Sequence, residues 1–272
     1  MMQTYVGPVF DEEHKAYLRA ESCQPIFVDF NTIRVATRKQ LPFGIAQTGK
    51  AFRNEINPRN FTFRSREFMQ MEMEFFCEDE GSLDWFEYWR HERWNFYTKV
   101  LRIPEEKLRW HWHEKLAHYA KQAVDIEYLF PFGWDEIEGI HHRGTLDMSQ
   151  HAKFSGDKPA CSIYDPETKE SRFPTVVETS CGLDRICLML LCNSYEEDTA
   201  ATKKLDKDED VRVVLRLPAL VGGVQLERVR ACVEAAVLRA VRHGQGAGHI
   251  IDAEDFRVFR KRGCGEHREC QH

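Results

Sequence analysis

The sequence predicts an α+β fold: an antiparallel sheet flanked by helices. Three stretches predict it. Residues 41–76 read as two strands joined by a basic turn, residues 124–140 as strand, turn and strand, and residues 174–192 as a strand running straight into a helix.

In the first stretch Arg53 and Glu55 are two residues apart and share one face of an extended chain. Asn57, Pro58, Arg59 and Asn60 supply turn chemistry. In the second strand Met69, Met71, Met73 and Phe75 alternate with Phe68, Gln70, Glu72 and Glu74. The methionine face reads as core. The opposite face sets an aromatic ring, an amide and two carboxylates beside Arg53 and Glu55. Alternating charge on a strand is ordinarily a solvated face. Here Arg53, Arg59, Arg64 and Arg66 crowd against acids of an apolar strand, which suits a ligand bearing both phosphate and amine.

Elsewhere the pattern is plainer. Ile26, Val28 and Phe30 alternate weakly after Glu21, which lies in a polar turn or helix start. Residues 82–101 read as a helix, with Ser82 as its cap and Phe86, Trp89, Phe96 and Val100 on its core face. Pro104 is expected to open a second helix running to Gln122. That helix would make His111 and His113 diverge, so these and His118 predict no metal. Pro131, Phe132 and Gly133 mark a turn, and Asp165 to Thr168 another. In the third stretch Val176, Glu178 and Ser180 share a strand face, and Gly182 allows a tight entry into the helix. Leu183, Ile186, Cys187, Leu190 and Leu191 form its apolar stripe. Arg185 lies off that stripe in the first turn, where a cation opposes the helix dipole unless an anion meets it.

A chain of 272 residues makes one large domain or two smaller ones. No apolar run approaches the roughly 18 residues of a membrane span, and the first residues lack a secretory layout. Nine cysteines, most of them single within apolar segments, suit reduced thiols in the cytoplasm. A net charge of −6 excludes a generally basic nucleic-acid coat, though not a local basic track.

Arg53-Asn54-Glu55, a loop, then Phe63-Arg64-Ser65-Arg66-Glu67-Phe68 closely resembles motif 2 of class II aminoacyl-tRNA synthetases. Glu178-Thr179-Ser180-Cys181-Gly182-Leu183-Asp184-Arg185 resembles their motif 3. The longer string, about residues 17–220, is similar to glycyl-tRNA synthetases of the dimeric type. Tyr17 to Pro25 matches their Tyr-Leu-Arg-Pro-Glu-Thr-Ala-Gln-Gly, departing at Ala20, Ser22, Cys23 and Pro25. Phe130 to Ile140 matches Phe-Pro-Phe-Gly-Trp-Gly-Glu-Leu-x-Gly-Ile, with Asp135 in place of a glycine. Asp147 and His151 match a following Asp-Leu-x-x-His, which Gly144 precedes irregularly.

The resemblance implies a class II catalytic core, with glycine, ATP and tRNA(Gly) as substrates and Mg2+ as cofactor. It implies Arg53 on the α-phosphate and glycine carboxylate, and Arg185 on the γ-phosphate, as the catalytic pair. It implies an ATP site from Arg53, Asn54, Glu55, Phe63, Arg64, Ser65, Arg66, Glu67, Phe68, Glu136, Ile137, Gly182, Leu183, Asp184 and Arg185. Glu55 would read the adenine amino group and Phe68 would stack on the ring. It implies a glycine site from Glu21, Arg53, Phe68, Gln70, Glu72, Glu178 and Ser180, and magnesium on Glu136 and Glu178.

The same resemblance divides the chain into a catalytic core at 1–200, a linker and start of an anticodon-binding domain at 201–220, and a divergent or disordered tail at 221–272. The tail carries one expected helix at 226–242. Its Cys264, His267, Cys270 and His272 are spaced too closely for an expected zinc site. The family is homodimeric, but its motif 1 is not visible before Glu21, so the chain reads as shortened at its N-terminus. The competing readings are a catalytically weak fragment or synthetase-like binding protein, and a class II ligase for another small amino acid.

Overall fold

The computed structural model describes residues 1–116, 120–166, 168–198, 212–218 and 249–252. In chain order the elements are β1 (Gln3–Tyr5), β2 (Lys15–Tyr17), α1 (Cys23–Thr37), β3 (Phe43–Phe52), β4 (Glu67–Cys77), α2 (Ser82–Asn95), β5 (Leu108–Trp112), β6 (Gln122–Phe130) and β7 (Gly133–Gly144). They continue as α3 (Leu146–Ser155), α4 (Lys158–Cys161), β8 (Ile163–Tyr164), β9 (Ser171–Arg172), β10 (Thr175–Gly182), α5 (Leu183–Ser194), β11 (Tyr195–Asp198), β12 (Arg212–Leu215) and β13 (His249–Asp252). The main sheet is antiparallel throughout, in the order β13-β3-β4-β10-β7-β6-β5. The α+β reading therefore holds.

The alternation in β4 does what its letters require. Met71, Met73 and Phe75 turn into one core with Phe86 and Trp89 of α2 and Ile186, Met189 and Leu190 of α5. On the opposite face the end of the sheet, Phe43, Ile45, Phe76 and Val176, packs under α1 and α3 through Ile26, Phe27, Phe30 and Met148. A fully buried Phe or Ile contributes about 1.5–3 kcal/mol, so α1 is held where it caps that end. The remainder of this second face is polar. The β6–β7 connection is only Pro131 and Phe132, with Gly133 at φ 112°, a conformation that favours glycine.

Several elements differ from expectation. Residues 23–37 form a helix rather than a strand, because Cys23, Ile26, Phe27 and Phe30 recur at helical spacing while Val28 is exposed. Pro25 sits in its first turn, where proline is tolerated. Pro104 leads only a short 3-10 turn, Glu105–Lys107, and then β5. There Trp110 stacks on Trp94 with ring centroids 4.7 Å apart, and His111 and His113 alternate with the tryptophans. Gly81, not Ser82, is the N-cap of α2, and the Ser82 hydroxyl donates to the Asp79 carbonyl at 2.7 Å. After Asn95 the helix loosens into a π-turn, Phe96–Val100. In α5 Met189 is buried, whereas Cys187 and Leu191 are exposed.

The expected short strand near 212 is β12, paired with β11. The expected helix at 226–242, the Cys264 to His272 cluster and His118 lie outside the described residues. Among the described residues no helix is long and apolar enough to cross a membrane.

Candidate active site

Register builds the site. Glu72 lies opposite Ser180 and Gln47, and Ser180 lies opposite Gly139. One step along, Glu74 lies opposite Glu178, which lies opposite His141. These side chains share the polar face of the sheet. β7 bulges at Arg143, between the partners of Val176 and Val177, and Arg143, two residues from His141, shares its face. Its Nη1 meets Glu178 Oε2, while its Nε and Nη2 bond the two oxygens of Asp147 at 2.8 and 3.0 Å.

The acids of this face do not share one charge state. Burial pushes Glu178 up, but the hydrogen bond and charge of His141, joined by Arg143, bring it down to about 2. His141 Nδ1 lies 3.0 Å from Glu178 Oε1. Burial lowers His141, yet Glu178 outweighs it and holds the imidazole above its ordinary range. Glu72 is raised to about 8 by burial and by the charges of Glu178 and Glu21. Glu74 is fully buried and is likewise raised well above the ordinary carboxyl range, by burial first and Glu178 next. One carboxylate is thus secured as an anion and two neighbours are neutralised.

Glu21 reaches this cluster from the segment before α1. Ser22 N donates to Gln70 Oε1 at 3.1 Å, and Gln70 Nε2 donates to Ser180 Oγ at 2.9 Å. Arg19 clamps the same segment onto β3, donating to Gln47 Oε1 at 2.6 Å and to the Lys50 carbonyl at 2.9 Å. The guanidinium lies so close to Gly49 that a Cβ there would meet Nη2 at 2.2 Å.

Beside the acids opens a cleft lined by Arg53, Glu55, Phe63, Arg64, Ser65, Phe68, Gln70, Glu136, Ser180, Gly182, Asp184 and Arg185, with Thr62 and Cys181. The Arg53 guanidinium stands over the Phe68 ring, 5.4 Å from its centroid. Arg185 lies 4.3 Å over Phe63, donates to the carbonyls of Phe63 and Glu136 at 3.2 and 3.0 Å, and sits 3.4 Å from Glu136 Oε2. Its first-turn position is thus compensated by carbonyls and one acid. Asp184 Oδ2 accepts the Met69 N–H at 2.7 Å and ties α5 to β4. The turn is folded back by an Arg59–Arg64 bridge, with Arg66 Nε on the Glu55 carbonyl at 3.0 Å and Arg64 3.8 Å from the Glu55 carboxylate.

Most of the predicted site residues therefore converge, but three side chains do not. Ile137 and Leu183 are buried in the core and do not line the cleft. Glu67 shares the parity of Met69 and pairs with Lys50 at 2.5 Å. Asn54 and Arg66 are exposed at the rim. Arg19, Gln47, His141 and Arg143 are site residues that sequence reasoning passed over. The motif string from Tyr17 to Pro25 contains Arg19, but only register reveals the partners of these four side chains.

Over residues 8–194 the chain matches the tRNA synthetase class II core domain (G, H, P, S and T). The Glycine--tRNA ligase of Borrelia garinii subsp. bavariensis is 49% identical over 219 residues, covering 80% of this chain and 48% of that protein. The Glycine--tRNA ligase of Chlorobaculum tepidum is 46% identical over 245 residues, covering 90% and 48%. The chain spans about half the length of the relatives it matches. The structure of Giardia lamblia prolyl-tRNA synthetase in complex with prolyl-adenylate superposes with a TM-score of 0.55 at 18% identity, covering 70% of this chain and 36% of that one. That likeness is one of fold. The domain match takes in every strand and helix that builds the cleft, and the chain belongs to the class II tRNA synthetase core-domain family.

Proposed function

We propose that this chain carries the glycine-activating centre of a glycine–tRNA ligase. The observation that carries the reading is the pairing of an arginine- and aromatic-lined cleft with an acid pocket, joined through Gln70 and Ser180. A glycine carboxylate oxygen attacks the α-phosphate of ATP, a new O–P bond forms, and pyrophosphate leaves. The 3′-terminal hydroxyl of tRNA(Gly) then takes the glycyl group and AMP leaves. Such transfers depend on positioning and charge neutralisation more than on covalent help.

Arg53 has no carboxylate partner among the described residues, so its fork remains available to bridge the α-phosphate and the glycine carboxylate. Phe68 offers a ring face for adenine, and Glu55 an acceptor for its amino group. Arg185 is pre-aligned by the Phe63 and Glu136 carbonyls, with Nη2 left for the γ-phosphate. Ser180 and Gly139 face each other in adjacent strands and set how much room the substrate Cα has. The ammonium meets ionised Glu178, with Glu72 and Glu21 around it. A neutral Glu72 limits repulsion before the ammonium arrives and ionises as it binds.

Magnesium, when bound, neutralises triphosphate charge. Glu136 is half-exposed beside the cleft and fits a hard cation. Glu178 does not fit that role, since His141 and Arg143 already engage both its oxygens. The cytoplasm is the proposed place of work, consistent with the free thiols of all six described cysteines.

The test is ATP–pyrophosphate exchange on the purified chain. Exchange with glycine, but not with alanine or serine, is expected. Absence of glycine-dependent exchange from the folded chain would refute the proposal.

A further inference from the structure

We propose that Cys23, Glu72 and Glu74 form a binding site for a thiophilic divalent cation of the zinc class, set in the floor of the acid pocket. Cys23 stands in the first turn of α1, and the two glutamates stand two residues apart on β4. One ligand atom from each lies within 4.8 Å of the others. That spacing matches donors around a single ion, with metal–sulfur and metal–oxygen bonds of roughly 2.3 and 2.0–2.2 Å.

The second observation is independent of the clustering. Glu74 is completely buried, and neither of its carboxyl oxygens receives a hydrogen bond; Glu72 Oε2 is buried and unbonded as well. Buried carboxyl groups are ordinarily satisfied, and three such oxygens together call for a shared partner. A cation provides it. The groups facing the cluster set its strength. Arg143 of β7 opposes a second cation, while Glu178 of β10, Asp147 of α3 and Glu21 favour one. A thiol among the donors selects zinc-like ions over magnesium or calcium.

At rest all three groups hold their protons, since burial raises the thiol and both carboxyl groups. Binding therefore exchanges protons for the ion, and affinity rises with pH. If Glu72 seats the substrate ammonium, a corollary resting on the proposed function, the cation and glycine exclude each other.

The probe is Cd2+ added to the full chain, followed by the ultraviolet thiolate-to-cadmium band and by equilibrium dialysis at pH 7 and pH 8. Cys23→Ala and Glu74→Gln are each expected to lose one equivalent of bound cadmium or at least tenfold in affinity, with proton release from the parent chain only. Glu74→Gln removes a buried acid and keeps the fold, so the test survives if Cys23→Ala folds poorly. Cadmium bound equally by the parent and either variant, or no cadmium bound by the parent at either pH, overturns the site. Cadmium inhibition of exchange that Cys23→Ala relieves reports the glycine corollary separately; its absence, with binding intact, counts against the ammonium seat and not against the metal site.

Discussion

Replacing Arg143 by methionine removes the guanidinium that spans the acid pocket and keeps much of its reach. The side chain is 7% exposed and its partners Glu178 and Asp147 are 5% and 12% exposed. Removing one partner of a buried pair costs about 3–5 kcal/mol, because the remaining charge stays desolvated. Here two carboxylates lose their partner, while His141 still serves Glu178. About 4 kcal/mol is therefore expected at pH 7, a large part of the roughly 5–15 kcal/mol that holds a domain together. Urea unfolding followed by tryptophan fluorescence measures it. The pH dependence has a definite sign. Glu178 is depressed from 4.5 to about 2, so its contribution is present above pH 4.5 and lost as pH falls through 2. Losing Arg143 raises Glu178, so the variant's deficit is widest near neutrality and narrows in that acid window. Arg143→Lys keeps the charge but not the two-toothed contact with Asp147, and should fall between. A loss below about 1 kcal/mol, or a deficit unchanged from pH 7 to pH 3, would refute the coupling.

Gly49→Ala forces Arg19 off its seat and loosens the segment bearing Glu21. The KM for glycine in exchange should rise about tenfold, equal to about 1.4 kcal/mol, with little change in melting temperature; an unchanged KM counts against the clamp. Glu72→Ala should abolish glycine-dependent exchange, and full retained exchange removes it from the ammonium seat. Glu72 is raised to about 8, so the stability linked to its proton is present below pH 4.5 and lost as pH rises through 8. The urea midpoint should then fall between pH 7 and pH 9, and Glu72→Gln should flatten that fall; parallel profiles would show that another group titrates.

What the sequence made legible follows from which interactions are local. The strand β4 was legible because one of its faces is core, and a two-residue period writes that face into the order of letters. The same alternation misled at Ile26, Val28 and Phe30, where the true period is helical and Cys23 and Phe27 complete it. His111 and His113 diverge on a helix but share a face on β5. Their partners Glu127 and Asp125 come from β6, 16 and 12 residues away, and only register supplies them. The acids show the limit most sharply. Glu72, Glu74 and Glu178 are the same letter on adjacent strands, yet only Glu178 is held as an anion. The difference is that two cationic side chains of β7 reach Glu178, His141 at Oε1 and Arg143 at Oε2. Arg143 stands two residues from His141, so the two-residue period of β7 places both on the face that Glu178 occupies. Two side chains of a neighbouring strand thus decide which of three identical residues carries the charge. No pattern within β4 or β10 alone contains that information.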